Sequence, residues 1–310
     1  MRRVKECRNN LSARSQTDVV SELIQKELDN GCIYGQFCKP PFEHYRVYPL
    51  GVATGKYSHK KRLILDLSAP HSEGVASIND LIDKEQCSMS YVKIDDAIKI
   101  ITKYGQGTKL CKFDIQNAFK ICPALPRQWP LFYLKWESFY YFYVRLSFGC
   151  RSSPKIFDNF SKAICFIAEH NYKVKYILHL LDDFLTIDSP DFDTERTMAL
   201  MMMIFKRLNV PIAAHKTMGP LTCIEYLGII LDTDKLEARL PQEKVDRICN
   251  FINKVLQQSS CTKRELLQLL GHSNFALRVI VPGRSFVSVV RTFKLRTASY
   301  RTWYIVCCSC

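Results

Sequence analysis

The sequence predicts a mixed α+β fold, and three observations carry this prediction. Strand-like and helical patterns alternate as far as about residue 235, and helical patterns dominate after it. Two aromatic-rich runs, 131–136 and 139–146, are separated by Glu137-Ser138, which predicts a β-hairpin. Apolar residues then recur at helical spacing after Ser152-Ser153-Pro154, a sequence typical of a helix start.

The elements before the hairpin follow from similar signals. Residues 1–40 are polar and basic, with a weak helical pattern that stops at Asn30-Gly31, and we predict that they form an N-terminal extension. Strand-like runs flank the basic segment 55–62, which predicts two strands joined by a basic loop. An amphipathic pattern over 90–104 ends at Gly105, which predicts a helix.

The elements after the hairpin become increasingly helical. A helical pattern covers 194–208, and the run 225–232 predicts a short strand pair with a bend at Gly228. Beyond Pro241 we predict two helices, the second of which begins with a capping box formed by Thr262 and Glu265.

The composition of the chain favours a polyanionic partner. Among 310 residues, Lys and Arg number 44 against 30 Asp and Glu, which gives a net charge of +14. The 14 cysteines are scattered mostly through apolar segments and no signal peptide is evident, so we expect reduced thiols. No apolar run approaches the roughly 18 to 20 residues of a membrane span. We therefore expect an intracellular protein, cytoplasmic or nuclear, without a membrane partner.

Three aspartates form the strongest candidate for a chemical site. Asp182-Asp183 lie between apolar runs, which predicts a strand, a tight turn and a strand, and Asp114 follows another strand-like run. Adjacent strand residues point to opposite faces, so the pair can share a centre only if the turn twists or a third acid contributes. Clustered carboxylates suit Mg²⁺ and indicate two-metal phosphoryl or nucleotidyl transfer. For an isolated Asp-Asp dipeptide, turn propensity alone would be the better explanation.

An ordered series of motifs resembles that of the reverse transcriptases. The resemblance spans about residues 40–290 and rests on Lys60-Lys61-Arg62-Leu63-Ile64-Leu65-Asp66, Lys112-Phe113-Asp114 with Phe119, Ser147-Phe148-Gly149 through Pro154, Leu180-Leu181-Asp182-Asp183, Lys216 and Tyr226-Leu227-Gly228. Phrases at 67–70, 79–85, 145–149 and 270–276 are similar to the polymerases of DIRS-type retrotransposons, which travel with a tyrosine recombinase.

The resemblance implies a right-hand polymerase. Fingers and palm would occupy 41–235, with a mainly antiparallel palm sheet covered by helices on one face, and a helical thumb would occupy 236–290. The implied activity is RNA-directed DNA synthesis, in which dNTPs are added to a primer on an RNA or DNA template. Asp114, Asp182 and Asp183 would be the catalytic residues and the ligands of Mg²⁺, or of Mn²⁺ in its place.

The resemblance also implies roles for residues around the aspartates. Substrate binding is implied for Arg62 and Lys61 at the triphosphate, Phe119 beneath the sugar, Phe148 and Gly149 beside the nucleotide or template, and Lys216 as the acid that protonates pyrophosphate. For Lys216, an ordinary surface lysine explains the sequence as well. The turn Tyr226-Leu227-Gly228 would support the primer end as a primer grip.

The sequence departs from the reverse transcriptase pattern at two places. Leu180 stands where an aromatic residue is usual, beside the paired acids. DIRS-type polymerases continue into an RNase H domain, but the atypical tail 291–310 lacks carboxylates for such a site, so we expect a chain truncated before that domain. These departures leave an alternative open, a catalytically impaired or co-opted nucleic-acid-binding protein of the same fold.

Overall fold

The computed structural model describes residues 6–55, 59–72, 74–258 and 261–280. The predicted tail, 291–310, and the last ten residues of the predicted thumb lie outside the described residues. No helix in the described ranges is long and apolar enough to cross a membrane. The helices are α1 (Leu11–Arg14), α2 (Thr17–Asp29), α3 (Ile78–Leu81), α4 (Ile94–Tyr104), α5 (Ser153–Tyr172), α6 (Thr194–Arg207), α7 (Gln242–Leu256) and α8 (Lys263–Ala276).

The strands of the described residues form several small sheets. They are β1 (Ile33–Phe37), β2 (Val47–Tyr48), β3 (Leu50–Thr54), β4 (Lys61–Leu65), β5 (Lys109–Asp114), β6 (Tyr133–Trp136), β7 (Phe139–Tyr143), β8 (Ile177–Leu180), β9 (Asp183–Asp188), β10 (Met218–Leu221), β11 (Cys223–Tyr226), β12 (Ile229–Asp232) and β13 (Glu237–Arg239). The sheet orders are β1-β7-β6-β2, β10-β5-β9-β8, β11-β12-β13 and β3-β4.

The structure confirms the mixed α+β class and several predicted elements. Strands β6 and β7 form the predicted aromatic hairpin, paired from Tyr133 with Phe142 to Trp136 with Phe139. Helix α4 ends before Gly105 as predicted, and Thr262 and Glu265 form the predicted capping box at the start of α8. These signals are local in sequence, which is why the pattern alone identified them.

The sheet β10-β5-β9-β8, called the central sheet below, is antiparallel throughout and is covered on both faces. Phe113 and Phe184 point to one face, where they pack with residues of α5 and α6. Leu110 and Leu185 point to the other face and pack with α4 and with β11 and β12. This two-sided packing corrects the prediction of helices on one face only, because β5 and β9 have apolar residues at successive positions, such as Leu110 with Cys111 and Phe184 with Leu185.

Residues of the predicted N-terminal extension contribute to a core. Val20 and Ile24 of α2 and Ile33 of β1 are buried together with Tyr48 and Leu65. Strand β1 also pairs with β7, so one sheet contains residues from both sides of the predicted boundary at residue 40. The apolar stripe of α2 is thus buried against later strands.

Candidate active site

The register of the central sheet brings the predicted acids to one edge. Strands β5 and β9 pair antiparallel, and Asp114 lies directly opposite Asp183. Strands β8 and β9 form a hairpin in which Leu180 faces Asp183, so Leu181 and Asp182 form the turn. Asp182 and Asp183 were expected to share one centre only if the turn twists or a third acid contributes. The structure has a twisted turn at Leu181 and a third acid, Asp114, opposite Asp183.

The hairpin turn is held in a strained conformation by its neighbours. Leu181 has φ 55, in the left-handed region that costs a branched, non-glycine residue about 1 kcal/mol or more. The buried hydroxyl of Ser161 on α5 donates a hydrogen bond of 2.8 Å to the Leu181 carbonyl. The amide of Ile115 donates a bond of 2.9 Å to the Asp182 carbonyl. Helix α5 and strand β5 therefore fix the position of Asp182.

Asp182 and Asp183 are partly buried, and their negative charges and that of Asp114 repel one another. Burial raises the pKa of Asp182, and the negative charge of Asp114 raises it further. Burial also raises the pKa of Asp183 to about 6, with contributions from Asp182 and Asp114 that the positive charge of Lys112 opposes. A cation would relieve this repulsion, and oxygen ligands suit Mg²⁺ or Mn²⁺. The chemistry of the three residues thus fits the predicted metal.

Lys216 is bound to Asp114 in this structure. Its ammonium group donates a hydrogen bond of 2.8 Å to Oδ2 of Asp114, a residue with only 6% of its surface exposed. This bond raises the pKa of Lys216. Within the described residues, no three His, Cys, Asp or Glu side chains are grouped so that they could hold a metal ion. The three aspartates are therefore neighbours, but they do not form a preassembled metal site.

Lys112 is a site residue that the sequence interpretation missed. Its Nζ lies 3.8 Å from Oδ1 of Asp183 and donates a hydrogen bond of 3.3 Å to the carbonyl of Glu225 on β11. It therefore links the acidic hairpin to the sheet β11-β12-β13. Strand alternation could have identified it, because residues two apart on β5, such as Lys112 and Asp114, point to the same face.

The predicted nucleotide-binding residues form a second group next to the acids. The rings of Phe119 and Phe148 lie 5.2 Å apart, and the guanidinium carbon of Arg62 lies 5.9 Å from the centre of the Phe148 ring. The charge of Arg62 also lowers the pKa of Asp182, although burial outweighs this effect. Lys61 precedes Arg62 on β4, and neighbouring strand residues point to opposite faces. The structure thus gathers Arg62, Phe119 and Phe148 but not Lys61.

Gly149 is required by a close approach between two segments. It has φ 108, and a Cβ atom at this position would lie 2.0 Å from the carbonyl oxygen of Leu65. The preceding carbonyl, of Phe148, accepts a hydrogen bond of 3.2 Å from the amide of Leu65. The fold itself therefore requires glycine at position 149, independently of the predicted proximity of Gly149 to nucleotide or template.

Asn79 fixes the same turn and was given no role in the sequence interpretation. Its side-chain amide donates hydrogen bonds to the carbonyl of Gly149 at 2.8 Å and to the hydroxyl of Ser68 at 2.9 Å. Its Oδ1 accepts a bond of 2.9 Å from the amide of Arg151. Gly149 and Arg151 lie 70 and 72 residues away in sequence, so no local pattern could have identified this role.

The predicted primer grip is a tight hairpin between β11 and β12. Tyr226 pairs with Ile229, and the turn residues Leu227 and Gly228 have φ 48 and φ 78. Tyr226 is fully buried, and its pKa is raised by burial and by the charge of Asp183. Lys244 of α7 donates a hydrogen bond of 2.8 Å to the Gly228 carbonyl. The hairpin therefore connects the acidic edge to the C-terminal helices.

Comparisons with known proteins identify the fold but no family. No protein-family model and no curated protein match the chain. A solved structure of the foamy viral protease-reverse transcriptase in complex with dsDNA matches 98% of this chain with a TM-score of 0.66 and 17% identity. The same foamy viral protein in complex with an RNA/DNA hybrid matches 92% with a TM-score of 0.62 and 18% identity. The fold is reverse-transcriptase-like.

The likeness concerns architecture rather than close sequence relationship. The chain spans 56% of the length of the first of these neighbours and 35% of the second. The reverse-transcriptase-like fold explains why motifs separated by many residues meet at the edge of one sheet. Asp114, Asp182 and Asp183 occupy that edge, and Arg62, Phe119 and Phe148 lie next to them.

Proposed function

We propose that this chain is the RNA-directed DNA polymerase of a DIRS-type retrotransposon. It adds dNTPs to a primer 3′ end by two-metal nucleotidyl transfer. One observation carries the proposal: Asp114 and Asp183 are cross-strand partners, with Asp182 in the adjoining turn, within a reverse-transcriptase-like fold. The DIRS assignment is supported only by the sequence phrases such as Leu67-Ser68-Ala69-Pro70.

In this proposal the sheets correspond to the parts of a right-hand polymerase. The central sheet is the palm, the sheets β1-β7-β6-β2 and β3-β4 belong to the fingers, and α7 and α8 belong to the thumb. The hairpin β11-β12 is the primer grip, supported by its link to α7 through Lys244. The metals would be held by Asp114, Asp182 and Asp183, and when bound they would activate the primer hydroxyl and neutralise the leaving pyrophosphate.

The lysines at the acidic edge have two successive roles. Lys216 and Lys112 neutralise Asp114 and Asp183 while no substrate is present. Lys216 must release Asp114 for that carboxylate to become a metal ligand. Its side chain is half-exposed and can turn towards the departing pyrophosphate, where its ammonium group would donate a proton. The predicted general-acid role is thus compatible with the ion pair.

The second group of residues would recognise the nucleotide. Arg62 is exposed on β4 and can contact triphosphate oxygens through two N–H groups at once. Phe119 would lie beneath the deoxyribose, backed by Phe148 and Phe157. The net charge of +14 suits a primer-template duplex bound through phosphates. The foamy viral neighbours, which hold dsDNA or an RNA/DNA hybrid, support such a partner.

One alternative is favoured by specific observations. The side chain of Leu180 lacks the aromatic ring expected beside the acids, and Lys216 is bound to Asp114. Both features suit a protein that keeps the fold and binds nucleic acid without extending a primer. This protein would be catalytically impaired or co-opted.

A primer-extension assay on an RNA template separates the two functions. The native chain should extend a DNA primer with dNTPs and Mg²⁺ or Mn²⁺, and Asp182→Asn should abolish extension while retaining duplex binding. Asp95→Asn, which removes an exposed acid of α4, is the matched control and should extend normally. A native chain that binds the duplex but extends nothing would establish the alternative, and a chain that does neither would exclude both.

A further inference from the structure

A cavity of about 600 Å³ lies at the end of the central sheet opposite the aspartates. Asp188, which lines it, is the last residue of β9, whereas Asp183 is the first. Asp183 and Asp188 are five positions apart, which corresponds to about 17 Å at the usual rise per strand residue. The cavity is therefore distinct from the candidate active site.

Unpaired positive charge surrounds this cavity. Lys173 and Lys175 line it, and both are exposed. Lys175 lies 5.5 Å from the ring centre of Tyr104, and Lys103 donates a hydrogen bond of 3.0 Å to the hydroxyl of Tyr176. None of these three lysines takes part in an ion pair with a carboxylate among the described residues. The two lysines that line the cavity, with Lys103 at 5.7 Å and Lys175 at 5.8 Å from the Tyr176 ring centre, favour a phosphate-bearing ligand.

The cavity also offers a ring and a buried acceptor. Phe192 lines it with 49% of its surface exposed, which leaves a ring face open for stacking. Asp188 is 5% exposed; burial raises its pKa against a hydrogen bond from Thr197, and its Oδ2 atom has no hydrogen-bond partner. A buried acceptor without a donor is unfavourable, and an amino group of a ligand would supply the donor after a small adjustment of the side chain.

These features exclude simpler ligands. A bare phosphate would use the lysines but neither Phe192 nor Asp188. An organic cation would suffer repulsion from the lysines, and Lys175 already lies over the Tyr104 ring. Glu169 also lines the cavity, but it is exposed and does not offset three lysines. The ligand should therefore combine an anion, a planar ring and an amino group.

We propose that this cavity binds a nucleotide whose base carries an exocyclic amine. The phosphate would contact Lys173 and Lys175, the base would stack on Phe192, and the amine would donate a hydrogen bond to Asp188. The nucleotide is either free or the 5′-terminal residue of a strand. This site goes beyond the proposed polymerase function and does not depend on it.

Calorimetric titration of the full chain tests the proposal. The probe is adenosine 5′-monophosphate in EDTA, so that metal-dependent binding at the aspartates is absent. The double variant Lys173→Asn with Lys175→Gln removes two charges, and Asn suits the left-handed φ 60 at position 173. The matched control removes two exposed charges elsewhere, by Lys99→Gln with Lys206→Gln.

The expected result is a dissociation constant raised at least about tenfold in the double variant and unchanged in the control. Inosine 5′-monophosphate, which lacks the amine, should bind more weakly to the native chain but with the same affinity as adenosine 5′-monophosphate to Asp188→Ala, which has no side-chain acceptor. A 5′-phosphorylated oligonucleotide that displaces adenosine 5′-monophosphate at a lower concentration than the monophosphate itself would assign the site to a strand end. An oligonucleotide that does not displace the monophosphate would assign the site to a free nucleotide. Undetectable binding, equal loss in the control, or equal affinity for both monophosphates would overturn the proposal. Primer extension should be unaffected by the double variant, so this result and that of the polymerase assay are independent.

Discussion

Lys216 donates a hydrogen bond of 2.8 Å to the same aspartate that the proposed mechanism assigns to metal binding, Asp114. The bond neutralises a carboxylate that is 6% exposed and faces Asp183 across two strands. If Asp114 binds a divalent cation as proposed, the cation and this lysine compete for one carboxylate. The competition leads to a measurable prediction that does not depend on catalysis.

Lys216→Gln should make the protein more responsive to Mg²⁺. The raised pKa of Lys216 means that its bond stabilises the fold fully below its ordinary pKa of 10.5, and that this stabilisation is lost as pH rises through the raised value. Because the lysine is half-exposed, the variant should lose about 1 kcal/mol or less at neutral pH. Added Mg²⁺ should then raise its melting temperature more than that of the native chain.

Lys206→Gln, at an exposed position on α6, provides the comparison for this experiment. It should respond to Mg²⁺ as the native chain does. Identical Mg²⁺-dependent shifts for Lys216→Gln and the native chain would show that the lysine does not compete with the ion.

Asp158→Asn should destabilise the protein in a pH-dependent way. Burial alone would raise the pKa of Asp158, but hydrogen bonds from Lys162 and His179 outweigh it and lower that pKa. The stabilisation from a lowered pKa is present above the ordinary value of 3.8 and is lost as pH falls through the lowered value. We expect urea unfolding to show a loss of about 2 kcal/mol at pH 7.

At pH values below the lowered pKa, the native chain and Asp158→Asn should converge in unfolding free energy. Burial lowers the pKa of His179, so this ring is not expected to supply a compensating charge at neutral pH. A difference that stays constant from pH 7 down to acid pH would show that the variant acts through packing rather than through charge.

Gly149→Ala should be strongly destabilising, because its Cβ would lie 2.0 Å from the Leu65 carbonyl oxygen and its φ of 108 is unfavourable for alanine. We expect a loss of at least about 2 kcal/mol in unfolding free energy. Gly271→Ala is the matched control, since no heavy atom lies within 4 Å of its added Cβ in α8. That variant should be neutral or more stable by up to about 1 kcal/mol. Equal effects of both variants would contradict the close approach.

The sequence predicted those parts of the site that depend on local pattern. The turn at Asp182 and the strand that ends at Asp114 follow from apolar runs, and strand pairing then aligns them without further information. The hydrogen bonds of Asn79 to Gly149 and Arg151 could not be predicted in this way, because they join segments about 70 residues apart.

Two other features, the contact of Lys112 with Asp183 and the burial of both faces of the central sheet, follow from strand alternation but were not predicted. Lys112 shares a strand face with Asp114, so its contact with Asp183 follows from alternation once the strand is recognised. The two-sided burial of the central sheet follows from apolar residues at successive positions of β9, such as Phe184 and Leu185.

Phe119→Val should relax the selection against ribonucleotides if the chain polymerises DNA as proposed. The centre of the Phe119 ring lies 5.2 Å from that of Phe148 and 5.6 Å from that of Phe157. These contacts fix the Phe119 ring beside Phe148, which Arg62 also approaches. Removal of most of the ring would open space for a 2′-hydroxyl. We expect the ratio of kcat/KM for GTP to that for dGTP to rise by about tenfold or more in single-nucleotide extension.

Phe160→Val is the control for lost packing, because Phe160 contacts Phe157 at 5.9 Å and shares the same core without contacting Phe148. It should lower stability to a similar degree, by about 1 to 3 kcal/mol, and leave the nucleotide ratio unchanged. If Phe119→Val reduced extension with both nucleotides equally, Phe119 would be a packing residue. Selection of deoxynucleotides would then have to arise from another residue of the nucleotide-binding group, and Phe148, next to Phe119, would be the first to test.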